Sequence, residues 1–191
     1  EMCIRDSIYS NYGSFAALKD DGSVVTWGNE DNYMMQYGGD SSSVSDKLTS
    51  GVIKIIGWNP SRFSNNTSSS AGGFAALKDD GSVVIWGVNG SKSYAHQNDL
   101  KSGVLDIFSS VSGGFAALKD DGSLIDWGNS NYGSSNGTSI SSVSDKLTSG
   151  VKEIFAVDVI SGNGSESPTS FAALKDDGSV VTWGFFSKNL I

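Results

Sequence analysis

Four nearly identical segments of 14 residues recur along the chain, and this repetition limits the fold more than any other feature. They occupy 15–28 (FAALKDDGSVVTWG), 74–87, 115–128 and 171–184, and the first and last are identical. A second block precedes the last three copies, at 45–52 (SDKLTSGV), 98–104 (NDLKSGV) and 144–151 (SDKLTSGV). The segments start 59, 41 and 56 residues apart. One repeat therefore takes about 41 residues plus insertions, a period typical of propeller blades or solenoid coils.

Each copy of the segment predicts a β-hairpin. The Asp-Asp-Gly sequence suits a type I turn followed by a glycine in the left-handed region, which makes a three-residue hairpin loop. In the second strand, Val25 and Trp27 share one face because strand side chains alternate. Val52 and Ile55 mark a further strand in the second block, and Ser-Val-Ser at 43–45 and 142–144 suggests another short one. No segment keeps the apolar spacing of an amphipathic helix.

The tryptophan of each hairpin is predicted to be a core residue, because a lone β unit of this size cannot bury both faces of its sheet and must stack on like neighbours. Burial of each indole would contribute about 2–3 kcal/mol. The predicted repeat core comprises Trp27, Trp86, Trp127 and Trp183.

Composition argues against several functions. The net charge is −8, and Arg5 and Arg62 are the only arginines, so a nucleic-acid partner is not expected. No apolar run approaches the roughly 20 residues of a membrane-spanning helix, so we expect no membrane insertion. With one cysteine, Cys3, and one histidine, His96, the sequence predicts no catalytic residues, no cofactor and no metal site.

The Asp-Asp pairs are interpreted as turn residues. They lack the spacing of an EF-hand calcium loop, and adjacent turn residues point in different directions, which disfavours a general acid–base pair. We expect these exposed turns to leave carboxylate pKa values unperturbed.

The hairpins resemble the regulator-of-chromosome-condensation repeat, whose blades carry an Ala-Leu, Asp-Gly, Val, Trp-Gly signature. Ala17-Leu18, Asp21-Gly22, Val25 and Trp27-Gly28 match it, as do the equivalent residues of the other copies. The resemblance implies an all-β fold of consecutive β-propeller blades, incomplete because four repeats are present of an expected seven. A parallel β-solenoid is the alternative, but it would need a more constant coil length.

Functions known in the family carry over only in part. Eukaryotic members often have a histidine shortly before the Ala-Leu, where this chain has Ser14, Gly73, Gly114 and Ser170. Chromatin binding and nucleotide exchange are therefore not expected. The short repeat looks most like those of large bacterial proteins, and of a secreted bacterial propeller that inhibits β-lactamases.

Two insertions, near 57–72 and 156–170, follow the opening strands of their repeats and should emerge on one side of the array. The first contains Trp58, Arg62 and Phe63, an arginine-plus-aromatic set of the kind that anchors interfaces, and is the candidate partner-binding loop. A solvated loop with a local hydrophobic tuck is the alternative.

The ends of the chain suggest a fragment. Residues 1–7 (EMCIRDS) resemble translated sequencing adaptor and are predicted to be a non-native leader, which leaves 8–191 as a single repeat array. The last repeat stops soon after its third strand, so we expect that the natural chain continued.

The sequence favours a non-catalytic protein-interaction scaffold, a fragment of a larger bacterial repeat protein that is secreted or surface-exposed. We expect a protein partner in preference to a glycan. The alternatives are a structural spacer array in an adhesin-like protein, or an accessory domain of an enzyme whose catalytic part lies outside this chain.

Overall fold

Each repeat folds into one three-stranded antiparallel sheet, called a blade here. The structure is a computed structural model that describes residues 7–11, 13–28, 38–58, 72–87, 98–109, 114–128, 143–158 and 169–184. Blade 1 contains β1 (Ser7–Ser10), β2 (Ser14–Leu18) and β3 (Val24–Gly28), and blade 2 contains β4 (Val52–Trp58), β5 (Gly73–Lys78) and β6 (Val83–Trp86). Blade 3 contains β7 (Val104–Ser109), β8 (Gly114–Lys119) and β9 (Leu124–Gly128), and blade 4 contains β10 (Val151–Asp158), β11 (Thr169–Lys175) and β12 (Val180–Gly184). The predicted all-β fold of consecutive blades is confirmed.

The Asp-Asp-Gly hairpins have the predicted geometry. In blade 1 the amide of Lys19 donates to the carbonyl of Ser23, and the amide of Gly22 donates to the carbonyl of Lys19, both at 2.9 Å. Gly22 has a φ of 73°, a conformation that L side chains rarely adopt. The same bonds recur in all four blades. The turn therefore fixes the register that places Phe15 opposite Trp27.

Every blade has two distinct faces because of this register. We call the face with the paired Phe and Trp rings the Trp face, and the face with the first Ala and the Leu of Phe-Ala-Ala-Leu the Leu face. In blade 2 the rings of Phe74 and Trp86 stack with centroids 5.3 Å apart on the Trp face. That face packs against the Leu face of blade 1, where Ala16 is fully buried. Blades 2 and 3, and blades 3 and 4, pack in the same way.

The Trp face of blade 1 is the exception, because no described residue packs over it as a preceding blade does elsewhere. Trp27 is 42% exposed, whereas Trp86 and Trp183 are each 3% exposed. The prediction that Trp27 is a buried core residue is therefore wrong: this indole is buried only where another blade precedes it. The side chain of Trp127 lies outside the described residues.

Successive blades are joined by a repeated contact between two glycines, called the glycine joint here. At the first joint the amide of Val52 donates to the carbonyl of Gly22 at 3.0 Å, and the amide of Asp79 donates to the carbonyl of Gly51 at 2.8 Å. A Cβ on Gly22 would lie 2.7 Å from the backbone nitrogen of Gly51. Both positions therefore require glycine, for space at Gly22 and for a φ of 75° at Gly51.

A buried leucine completes each joint. The amide of Val24 donates to the carbonyl of Leu48 at 2.9 Å, and the Leu48 side chain packs between blades 1 and 2. The prediction of a short strand at 43–45 is wrong, because Ser42–Lys47 forms a 3₁₀ helix, as does Ser144–Lys146. Leu48 directly follows this helix and is 3% exposed.

We expect alanine at Gly81 to destabilise the protein more than alanine at Gly178. Both glycines have positive φ, at 74° and 81°, so each substitution carries the left-handed penalty of about 1–2 kcal/mol. Only at Gly81 would the Cβ meet another blade, 2.8 Å from the nitrogen of Gly103, whereas Gly178 has nothing within 4 Å. Overpacking should add about 1–3 kcal/mol at Gly81. Denaturant unfolding of both variants measures the difference. Equal losses of unfolding free energy would contradict the close contact at the glycine joint.

Candidate interaction surface

The two ends of the strands differ in character along the whole array. The Asp-Asp-Gly turns and the glycine joints lie together at one end, which we call the turn edge. The chain leaves the opposite end after the first and third strands of the blades, and we call this end the variable edge. Apart from the short connection 11–13 of blade 1, its segments are 29–37, 59–71, 88–97, 110–113, 129–142 and 159–168, and they differ in length and sequence. Their structures lie outside the described residues.

The two predicted insertions begin at equivalent points of the variable edge. The first follows Trp58 at the end of β4, and the second follows Asp158 at the end of β10. Each connects the first strand of its blade to the second strand. The corresponding connection in blade 3 is only 110–113, so the scaffold accepts either length without change in the hairpins.

Trp58 does not have the position expected of a binding-loop residue. It is the last residue of β4 and is 3% exposed, with its ring centroid 6.0 Å from that of Phe115 in an edge-on contact. It belongs to the core between blades 2 and 3, so it cannot serve as a surface anchor in this conformation. Its indole N–H has no hydrogen-bond partner among the described residues, in contrast to that of Trp86, which donates to the carbonyl of Gly38 at 3.1 Å. Arg62 and Phe63 lie outside the described residues, and their binding role stays a prediction.

The turn edge is rich in carboxylates that stay ionised. The second Asp of each hairpin accepts hydrogen bonds from the serine two residues later, as Asp21 does from the Ser23 hydroxyl at 2.6 Å and the Ser23 amide at 2.9 Å. The hydroxyl, and then the amide, lower the pKa of Asp21 below its ordinary value of 3.8. The pKa values of Asp80, Asp121 and Asp177 are lowered for the same reason. The expectation of unperturbed carboxylates is therefore wrong, although a lowered pKa keeps these groups ionised at neutral pH, where they hold no proton to donate as general acids.

A cleft of about 720 Å³ opens at the turn edge between blades 1 and 2. Tyr9 and Leu18 line it together with Lys19, Asp21 and Lys78, so it presents charges of both signs. Within the described ranges, His, Cys, Asp and Glu side chains nowhere gather in threes as metal ligands.

One ion pair links neighbouring blades. The Nζ of Lys54 in β4 lies 2.6 Å from Oδ1 of Asp106 in β7, and the same ammonium lies 5.2 Å from the ring centroid of Phe108. Both charged side chains are 38% exposed, so solvent screens the pair and its contribution to stability is modest. Since its partners are satisfied within the chain, this pair is a structural contact between blades.

Similarity to known proteins is seen among solved structures. No protein-family model and no curated protein sequence matches the chain. Similar solved structures include human WBSCR16, at 18% identity with a TM-score of 0.46, and yeast RCC1 (Prp20) bound to Kap60, at 14% identity with a TM-score of 0.45. Each covers 94% of this chain, which corresponds to 48% and 43% of their own lengths.

The chain therefore spans about half the length of these structures. Similarity at this level carries no function across to this chain. Among the described residues, no helix has the length and hydrophobicity needed to cross a membrane.

We expect that Trp58→Ala destabilises the fold by about 3–5 kcal/mol, because it removes a buried aromatic side chain from the core between two blades. Trp27→Ala is the matched control, and it should cost less than half as much since this indole is already 42% exposed. Denaturant unfolding measures both losses. A Trp58→Ala variant as stable as the parent would show that Trp58 is not a core residue between blades 2 and 3.

We expect the turn serines to make stability depend on pH in acid. Asp21, Asp80, Asp121 and Asp177 have folded pKa values below 3.8, so their stabilisation is present above the unfolded pKa and is lost as pH falls through the folded pKa. Replacing Ser23, Ser82, Ser123 and Ser179 with alanine should flatten the fall in unfolding free energy between about pH 5 and 2.

A control for this measurement replaces the exposed Ser50, Ser102 and Ser149, which lie in the blade connections. This variant should keep the acid dependence of the parent. The same slope in both variants would show that the serine hydrogen bonds do not set the carboxylate pKa values.

Proposed function

We propose that the chain is a non-catalytic protein-interaction scaffold that binds its partner through the variable edge. The observation that carries the proposal is the contrast between the two ends of the blades. The hairpins, joints and turns are nearly invariant among the copies, whereas every segment at the opposite end differs from the others. A constant framework that presents dissimilar loops is the usual design of a binding module, since loops carry recognition and the scaffold positions them.

The chemistry of the variable segments favours a protein partner. They contain Tyr33, Tyr37, Arg62, Phe63 and Tyr132, which are residue types that dominate interface energetics. The net charge of −8 favours a partner with a basic surface, because complementary charge speeds association and disfavours acidic competitors. A glycan is the second candidate, for which these aromatic residues would serve as stacking surfaces.

We interpret the carboxylates of the turn edge as structural. The second Asp of each hairpin is exposed and accepts hydrogen bonds from its serine, which lower its pKa. An enzyme that used this array as an accessory domain would need catalytic residues elsewhere.

We further propose that the array belongs to a larger bacterial protein that is secreted or exposed at the cell surface. The support is the resemblance of the short repeat to those of such bacterial proteins, together with the segments rich in Ser, Gly and Asn.

Binding is tested by probing an array of purified proteins and a glycan array with the labelled full chain. A loop variant carries Ser-Val-Ser-Gly, the sequence of 110–113, in place of 59–72. A control variant carries Asp46→Asn and Asp145→Asn, which change exposed residues in the blade connections at the turn edge. We expect protein ligands whose Kd rises at least tenfold for the loop variant and is unchanged for the control.

Two outcomes would contradict the proposal. Ligands that bind the loop variant as tightly as the parent, or that are lost in the control, would place the site away from the inserted segment. A chain that binds neither proteins nor glycans would favour a structural spacer instead.

The identity of 15–28 and 171–184 favours a structural spacer as the second candidate function, because a spacer can consist of duplicated units without a specific binding site. Sequencing the complete gene separates the two, since a closed propeller predicts about seven repeats and a spacer many more.

A further inference from the structure

The two terminal blades each expose an apolar face that is buried in the interior of the array. On the Trp face of blade 1, Ile8 is 59% exposed and Phe15 is 42% exposed, together with Val25 at 49% and Trp27 at 42%. Their equivalents in blade 2 are between 0 and 6% exposed. Blade 1 thus presents a complete Trp face, including stacked Phe15 and Trp27 rings 5.5 Å apart, with nothing of the described chain over it.

The opposite end of the array exposes the other type of face. On the Leu face of blade 4, Phe155 is 48% exposed and Val180 is 60% exposed. In blade 3 the equivalent of Val180 is Leu124, which is 6% exposed, and the equivalent of Phe155 is Phe108, which is partly buried, because the Trp face of blade 4 covers that Leu face.

These two exposed faces match one another as the internal faces do. The 15–28 and 171–184 segments are identical, so the Leu face of blade 4 repeats the residues with which blade 1 covers Phe74 and Trp86. The Trp face of blade 1 repeats the Phe171 and Trp183 pair, which blade 3 covers. The interface that would join the two ends therefore already exists three times within the chain.

From this repetition we infer that a second copy of this chain docks head to tail, with its blade 1 Trp face on the blade 4 Leu face of the first copy. At the position of the ion pair between Lys54 and Asp106, Glu153 of one copy would face the uncharged Ser7 of the next. Because the two surfaces differ, each dimer keeps one free face of each type, and association continues until a ring closes or a filament forms.

The interface lacks one component of the internal junctions. By alignment on Ile8, the sequence has Arg5 where the other repeats have Val52, Val104 and Val151, so it has no Gly-Val pair to form a glycine joint. The docked faces would be held by apolar contact alone, and we expect weak, concentration-dependent association. The surface is separate from the variable edge, so the inference does not depend on the proposed function.

Sedimentation velocity of the full chain over a range of concentrations tests the docking. Trp27→Glu changes only the Trp face of blade 1, and Val180→Glu changes only the Leu face of blade 4. The control is Ile53→Glu, since Ile53 is 57% exposed at the bulge of β4 and lies on neither terminal face. Circular dichroism establishes that each variant is folded.

We expect the parent and the Ile53→Glu control to associate, and each face variant alone to stay monomeric. An equimolar mixture of Trp27→Glu and Val180→Glu should form dimers and no larger species, because one intact face of each type remains. A monomeric parent would overturn the inference and leave these faces to other blades or partners. Association of Val180→Glu alone would indicate a symmetric contact between Trp faces and overturn the head-to-tail arrangement. Loss of association in the control would also overturn it.

Discussion

The contact between two backbones at each glycine joint is the constraint on which the array depends. A Cβ at Gly22, Gly81 or Gly122 would approach the next blade's backbone to 2.7, 2.8 or 2.6 Å, so the turn of one blade can touch the first strand of the next only without a side chain. This approach allows the amide of Val52 to reach the Gly22 carbonyl. The joint therefore sets the spacing at which a Trp face packs on a Leu face.

The joint also explains why the sequence of the turn edge is nearly constant among the repeats while that of the variable edge differs. Changes at the turn edge would break contacts that recur three times, whereas the variable edge lies at the far end of the strands, where segments of 4 and 10 residues connect equivalent strands. A scaffold of this kind accepts new loops without loss of its core. The proposed binding role follows from that freedom.

Much of the fold follows from the sequence, because the hairpins depend on local chemistry. Asp-Asp-Gly specifies the turn, and alternation of Phe, Ala, Val and Trp specifies the faces. The candidate site was less predictable, because burial depends on neighbours. Trp27 has the same sequence context as Trp183 but lacks a preceding blade, and Trp58, read as a loop residue, ends a strand against Phe115. The sequence does not predict the 3₁₀ helix at 42–47, because polar and apolar residues alternate in Ser-Val-Ser as they do in a strand.

Native-state hydrogen exchange of the joint amides tests this account most directly. The amides of Val52, Val104 and Val151 each donate to a turn carbonyl of the preceding blade at 3.0 Å. If the joints hold the blades as one array, these amides should exchange as slowly as those at the centres of β5 and β8, because a blade that has lost its neighbours does not stay folded and both sets of amides open together. Exchange at the rate of exposed turn amides, with the strand centres still protected, would show that the blades are held by side-chain packing alone and would contradict the central role of the glycine joint.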